Sequence, residues 1–196
     1  MNSNIAIFPG TFNPIHIGHL MIADTALIQF GLDKIVFIVS PNPPNKLNSK
    51  EFLSINKRVE LVESAIQSNK AFETDLRELK REGPSFTIDT VLEMKAEKKV
   101  GKLHFILGLD SFLSLPSWQK AKELGESCKF LVAPRPGWLE IDVADSLSSF
   151  HDDLDWALID SPPLAISSTL IRTRKQTGLS YRYLMPNDEV FEKYNF

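Results

Sequence analysis

Cysteine is almost missing from this sequence: Cys128 is the only one in 196 residues. Neither a disulfide framework nor a cysteine-built zinc or iron–sulfur centre can form within one chain, and the usage fits a reducing cytoplasm. Long apolar runs are missing too. The first, Ile5 to Phe8, stops at Pro9-Gly10, far short of a signal-peptide core or of the roughly 20 apolar residues that span a bilayer. No targeting segment and no membrane association are expected. Positive charge is not in excess, with 22 Lys plus Arg against 25 Asp plus Glu and a net charge of -3. A broad electrostatic footprint for nucleic acid is therefore absent. Repeats, low-complexity tracts and linker-like breaks are not found, so residues 1–196 read as one domain. What remains is 43% hydrophobic and 24% charged, enough for a substantial core.

The apolar pattern alternates between strand and helix. Ile5 to Phe8 is a short continuous run of the kind buried on both faces, and helix-like periodicity follows from His19 to Phe30. Lys34 to Val39 reads as strand, Ser54 to Ser68 as helix, Ala71 to Thr74 as a weak strand and Thr87 to Lys98 as helix. Leu103 to Leu107 and Lys129 to Ala133 are further strands, with a helix expected from Ser117 to Leu124, and Trp156 to Ile159 adds another strand. Ser167 or Ser168 can cap a helix running to about Gln176, Gly178 sits where a stop belongs, and a last short helix is expected from Asp188 to Tyr194. This is the order of an α/β protein with a Rossmann-like, doubly wound, mostly parallel sheet and helices on both faces. Such sheets bind ligands beyond the carboxyl ends of their strands.

The first strand-to-helix loop is therefore the place to look. Pro9-Gly10-Thr11-Phe12-Asn13-Pro14-Ile15-His16-Ile17-Gly18-His19 carries two histidines three residues apart. Gly18 allows close approach to the backbone, and a helix starting there aims N–H groups and the positive end of its dipole at the loop, which suits phosphate. Taken alone, the two histidines could also be half a metal site or simple helix caps. The loop from Pro41 to Ser49, with three prolines and three asparagines, suits an active-site flap or an ordinary surface connection.

His16-Ile17-Gly18-His19 resembles the HxGH signature of nucleotidyltransferases, and Thr11-Phe12-Asn13-Pro14 is similar to its TFxP lead-in. Ile166-Ser167-Ser168-Thr169-Leu170-Ile171-Arg172 resembles the ISSTxIR motif of bacterial nicotinate-nucleotide adenylyltransferases. The stretch from Gly83 to Thr90 resembles their GPSYTIDT segment with Phe86 for tyrosine, Leu107 to Trp118 their GxDS…W element, and Arg135-Pro136-Gly137 their RPG. Three positions depart: Pro9 replaces the first glycine of GGTF, Asn13 a frequent aspartate, and Asn45 the histidine of PPHK.

The resemblance implies a single nucleotidyltransferase domain whose helical part from about residue 167 completes the ATP site. It implies transfer of AMP from ATP to nicotinate mononucleotide, with Mg²⁺ carried on the triphosphate and no dedicated metal ligand. His16, His19, Lys46 and Arg172 are the implied catalytic residues. Gly10, Thr11, Phe12, Gly18, Gly108, Asp110, Ile166, Ser167, Ser168 and Thr169 would bind ATP, and Ser85, Phe86, Thr87, Trp118 and Arg135 the second substrate. By residue chemistry alone, Asp110 could hold ribose or cap a turn, Trp118 could be core, and Lys46 could be a solvated charge. Phosphopantetheine adenylyltransferases, which carry the Pro9 variant, are the nearest rival, and a nucleotide sensor without turnover is another. The oligomeric state is left open.

Overall fold

The computed structural model describes residues 3–41, 52–81, 85–97, 100–137 and 146–193. Its elements run β1 (Ser3–Gly10), α1 (Ile17–Gln29), β2 (Lys34–Val39), α2 (Ile55–Ile66), β3 (Phe72–Asp75), α3 (Thr87–Glu97), β4 (Val100–Gly108), α4 (Leu109–Leu113), α5 (Ala121–Ser127), β5 (Lys129–Ala133), α6 (Ser149–Asp152), β6 (Trp156–Leu158), α7 (Ser168–Gln176) and α8 (Asp188–Glu192). Short 3₁₀ turns occupy Arg77–Lys80 and Leu115–Ser117.

The six strands form a sheet in the order β3-β2-β1-β4-β5-β6. The pairs β1–β4, β4–β5 and β5–β6 are parallel, with Ala6 opposite His104, Leu107 opposite Val132 and Leu131 opposite Ala157. This is the doubly wound order expected from the alternating pattern, and its direction reverses between β1 and β4, so the loop after β1 leaves at the switch point. The strands are buried for the reason their sequences suggested: Ala6, Ile7, Phe37, Ile38, Ile106, Phe130 and Val132 have no exposed surface. Among the described residues no helix is long and apolar enough to cross a membrane.

Two compact units can be distinguished, one of Met1–Phe8, Ile22–Ile35 and Phe86–Ala165, the other of Pro9–Met21, Val36–Ser85 and Ile166–Phe196. In the first, Phe105 and Phe112 pack on Phe130 with ring centroids 5.9 Å apart. Its short helix α6 is held by His151, whose Nδ1 accepts the Ser148 N–H (3.1 Å) and whose Nε2, left as the protonated nitrogen, donates to the Phe112 carbonyl (3.0 Å). Gln29, at the end of α1, donates to the Leu158 carbonyl and accepts the Asp160 N–H. In the second, Leu61, Val62, Ala65 and Ile66 line the buried face of α2, and Asn187 donates to the carbonyl and hydroxyl of Ser64.

One expected helix starts later than its sequence suggests. The stretch from Ser117 to Leu124 is a 3₁₀ turn ending at Ser117, a break through Trp118–Lys120, and a helix that begins only at Ala121. Lys120 sits in the left-handed region at φ 53, which a continuous right-handed helix cannot contain. Trp118 therefore follows a turn and does not open a helix.

Candidate active site

The loop after β1 belongs to the second unit, and its backbone carbonyls are held by donors from three other stretches of chain. The carbonyls of Gly10, Thr11, Asn13 and Pro14 accept from the Ser40 N–H (3.0 Å), Arg58 Nη1 (2.7 Å), Arg172 Nη1 (2.8 Å) and the Ser168 hydroxyl (2.8 Å). In a trans peptide the C=O and the following N–H point in opposite directions. The N–H groups of Thr11, Phe12 and Ile15 therefore each point away from the donor that holds the carbonyl of the same peptide.

Phe12 anchors the loop. Its ring is 2% exposed, lies 5.1 Å from the His19 ring and 5.8 Å from Phe37, and covers Gly10 so closely that a Cβ there would sit 2.7 Å from Phe12 Cζ. Phe12 adopts φ 45, a left-handed conformation costing about 1–2 kcal/mol for a residue with a Cβ. Burial of a phenyl ring, on the order of 1.5–3 kcal/mol, offsets that cost.

The two histidines are stacked at 3.6 Å between ring centroids. His19 closes a cap on its own helix: its N–H donates to the His16 carbonyl (2.9 Å) while its Nδ1 accepts the His16 N–H (3.2 Å). Burial lowers the His16 pKa to about 4, and burial followed by the neighbouring His16 holds His19 well below its ordinary 6.5. Both rings are therefore neutral at pH 7, and with Nδ1 of His19 accepting, its proton is on Nε2. The pair sits at the start of α1, where Ile17 N–H is already bonded to the Leu184 carbonyl (3.0 Å). Gly18 leaves room for the stack: a Cβ there would stand 3.1 Å from His16 Nδ1. That nitrogen is buried without a hydrogen-bond partner among the described residues.

Helix α7 meets the same loop. Ser167 caps it by accepting the Leu170 N–H (3.1 Å), the Ser168 and Arg172 side chains reach the Pro14 and Asn13 carbonyls, and Arg172 Nη2 also donates to the Thr169 hydroxyl (3.3 Å). Ile166, just before the cap, is partly buried. Ser85 accepts a hydrogen bond from Arg81 (2.8 Å). Lys46 and Asn45 lie outside the described residues.

In the first unit, Gly108 ends β4 and precedes α4, and Asp110 stands in the first turn of that helix. Asp110 forms an ion pair with Arg135 (2.6 Å), both side chains more than half exposed. Trp118 donates to the Ser114 hydroxyl (3.4 Å) and meets Phe105 edge-on. Phe86 is exposed at the start of α3, and Thr87 is that helix's first residue.

A family model described as cytidylyltransferase-like matches residues 7–174. The nicotinate-nucleotide adenylyltransferase of Bacillus subtilis strain 168 is 40% identical over 185 residues, which cover 93% of this chain and 91% of that protein. The chain belongs to the nicotinate-nucleotide adenylyltransferase family. The fold agrees with solved structures of Plasmodium falciparum nicotinic acid mononucleotide adenylyltransferase. Its complex with APC superposes with a TM-score of 0.74 at 17% identity over 98% of this chain and 96% of that one. Its complex with NaAD gives 0.69 at 20% identity over 88% and 83%.

Within this adenylyltransferase, sequence reasoning missed Arg58. It is 1% exposed, and burial lowers its pKa to about 10, so it is still a cation at pH 7. The signal was present: Arg58 lies three and four residues before Leu61 and Val62, on the apolar stripe of α2, where a charged residue is out of pattern.

Proposed function

We propose that this adenylyltransferase transfers AMP from ATP to nicotinate mononucleotide, giving nicotinate adenine dinucleotide and pyrophosphate in the cytoplasm. The observation that carries the reading is the loop after β1, with its carbonyls held by Ser40, Arg58, Ser168 and Arg172 and a neutral imidazole of fixed tautomer at the following helix start. Similarity to enzymes named for nicotinate mononucleotide supports the choice of substrate.

In this reading the phosphate of the mononucleotide attacks the α-phosphorus of ATP in line, and the enzyme contributes position and charge neutralisation. A phosphate monoester is already anionic at neutral pH, so no strong base is required. His19 Nε2–H and His16 donate to phosphate oxygens as negative charge shifts to the leaving group, and Arg172 and Lys46 neutralise the pyrophosphate. Gly10, Thr11, Phe12 and Gly18 offer backbone groups to the polyphosphate. Helix α7, from Ser167 to Arg172 and with Ile166 ahead of it, completes the ATP site of a single domain. Gly108 and Asp110 are assigned to ATP, Asp110 to its ribose, and a Cβ at Gly108 would meet open space, which favours close ligand approach. Ser85, Phe86, Thr87, Trp118 and Arg135 are assigned to the pyridine nucleotide. Mg²⁺ enters on ATP, held by phosphate oxygens and water as a hard cation prefers.

The acid is favoured over the amide because the first N–H groups of α3 lack intrahelical partners. A pyridine carboxylate offers them only acceptors, whereas a carboxamide points an NH₂ at one donor and forgoes the attraction of an anion to the dipole. An unsatisfied buried polar group costs about 1–3 kcal/mol, so kcat/KM should favour nicotinate mononucleotide by roughly tenfold or more. Pyrophosphate release from ATP with each acceptor, phosphopantetheine included, tests this. Equal rates for acid and amide would remove the helix-start account, and turnover with phosphopantetheine alone would favour the rival family.

A further inference from the structure

Arg58 is a permanent cation on the apolar face of α2, where a leucine or methionine would pack without the penalty of desolvating a charge. Among the described residues it faces no carboxylate. Its partners are four backbone carbonyls from three stretches of chain: Nη1 donates to Thr11 (2.7 Å) and Ser40 (2.8 Å), Nη2 to Pro41 (3.1 Å) and Nε to Leu53 (3.2 Å). The guanidinium also lies 4.8 Å from the Phe52 ring centroid. Leu53 is fixed from its other side as well, its N–H donating to Asn13 Oδ1 (3.0 Å). A rigid planar fork with five donors is pre-organised to hold carbonyls of separate segments in fixed directions.

We infer that Arg58 is a positioning residue for adenylyl transfer, setting the loop after β1 through the Thr11 carbonyl. The path is short. Fixing Thr11 sets the peptide that enters Phe12, whose ring at 5.1 Å sets one wall of His19, and His19 is stacked on His16. Asn13 and Leu53 close the same circuit from the far end of the loop. This rests on the reading of that loop as the phosphate site.

The test uses Arg58→Lys and Arg58→Met in the full chain. Lysine keeps the charge but presents its donors from one nitrogen, which cannot reach carbonyls on three stretches. Methionine fills the volume and leaves no charge to bury. With both folded by circular dichroism, kcat at saturating ATP and nicotinate mononucleotide should fall about 100-fold for Arg58→Met, the scale of a misplacement of about 1 Å, and at least about 10-fold for Arg58→Lys. The KM for the mononucleotide should stay within about threefold, since a group acting on transition-state geometry leaves ground-state binding alone. The imidazole ¹⁵N resonances of His16 and His19 should move in both variants. Folded variants with near-normal kcat overturn the inference. So do variants whose kcat falls while both histidine spectra keep their wild-type positions. If Arg58→Lys melts below the assay temperature, Arg58→Met carries the same test. Should the wild-type protein release no pyrophosphate with any pyridine mononucleotide, the activity reading fails, and the histidine spectra still report whether Arg58 holds the loop.

Discussion

Lowering the pH from 8 to 5 should weaken the fold through the stacked imidazoles, and His16 supplies a magnitude. Its pKa is 6.5 when exposed and about 4 in the folded protein, because burial disfavours the charged ring. As pH falls through 6.5 the unfolded chain takes up this proton first, so stability declines. The decline ends near pH 4, where the folded imidazole is protonated too. At pH 5 the unfolded form is almost fully protonated at this site and the folded form mostly neutral, a difference of about 2 kcal/mol relative to pH 8. His19 and His104 are shifted in the same direction, both chiefly by burial, and add to the loss in the same window. Asp75, lowered by Arg77 against an opposing desolvation, and Asp155, lowered chiefly by Lys102, keep their contributions until pH falls below the ordinary aspartate range and leave this window untouched. Urea unfolding of the wild type and of His16→Asn at pH 5, 6.5 and 8 isolates the one ring. The variant should lose about 2 kcal/mol less between pH 8 and 5. Identical pH slopes in the two proteins would show that His16 is not held neutral by burial.

Gly18→Ala should separate stability from turnover. Alanine restricts the unfolded chain more than glycine, worth about 0.4–1 kcal/mol, yet its Cβ would stand 3.1 Å from His16 Nδ1 and 3.2 Å from Cε1; thermal melts should not drop while kcat falls about 10-fold or more through the displaced ring. Unchanged kcat would mean that the stack tolerates the shift. Arg172→Ala should lower kcat about 100-fold, the usual scale for a lost transition-state donor. Arg172→Lys should fall between it and the wild type, since lysine keeps the charge but cannot reproduce the planar donation to Asn13 and Thr169; two wild-type-like proteins in steady-state kinetics would return Arg172 to a purely structural tie.

The strands were legible because their signal is local and simple. Lys34–Val39 and Lys129–Ala133 are each one lysine followed by an unbroken apolar run, and the structure ends them at the expected residues. The helix breaks were harder. Nothing in the residue type of Lys120 announces φ 53, and α4, with five residues, is too short for a period of 3.6 to show. At the loop after β1 the motif named the residues but not their division of labour. Ser168 was assigned to ATP and Arg172 to catalysis by the motif, and the structure turns both onto the carbonyls of that loop, a long-range contact that spacing along the chain cannot reveal. Arg58 shows a related limit: its place on the apolar stripe of α2 marks it as out of pattern, but the carbonyls it holds, on three separate stretches, cannot be read from spacing along the chain.

The last strand of the sheet, β6, has an answer to a different question, namely why the sheet stops there. Ile159 sends its N–H toward β5, to the Val132 carbonyl, and successive residues of a strand face opposite sides, so the Leu158 carbonyl and the Asp160 N–H look outward. A seventh parallel strand would take that pair with the N–H and C=O of a single residue. The carboxamide of Gln29 takes them instead, donating at 3.1 Å and accepting at 2.8 Å. One side chain thus impersonates one residue of a neighbour, and it withdraws from the open edge the template on which another chain could add a strand.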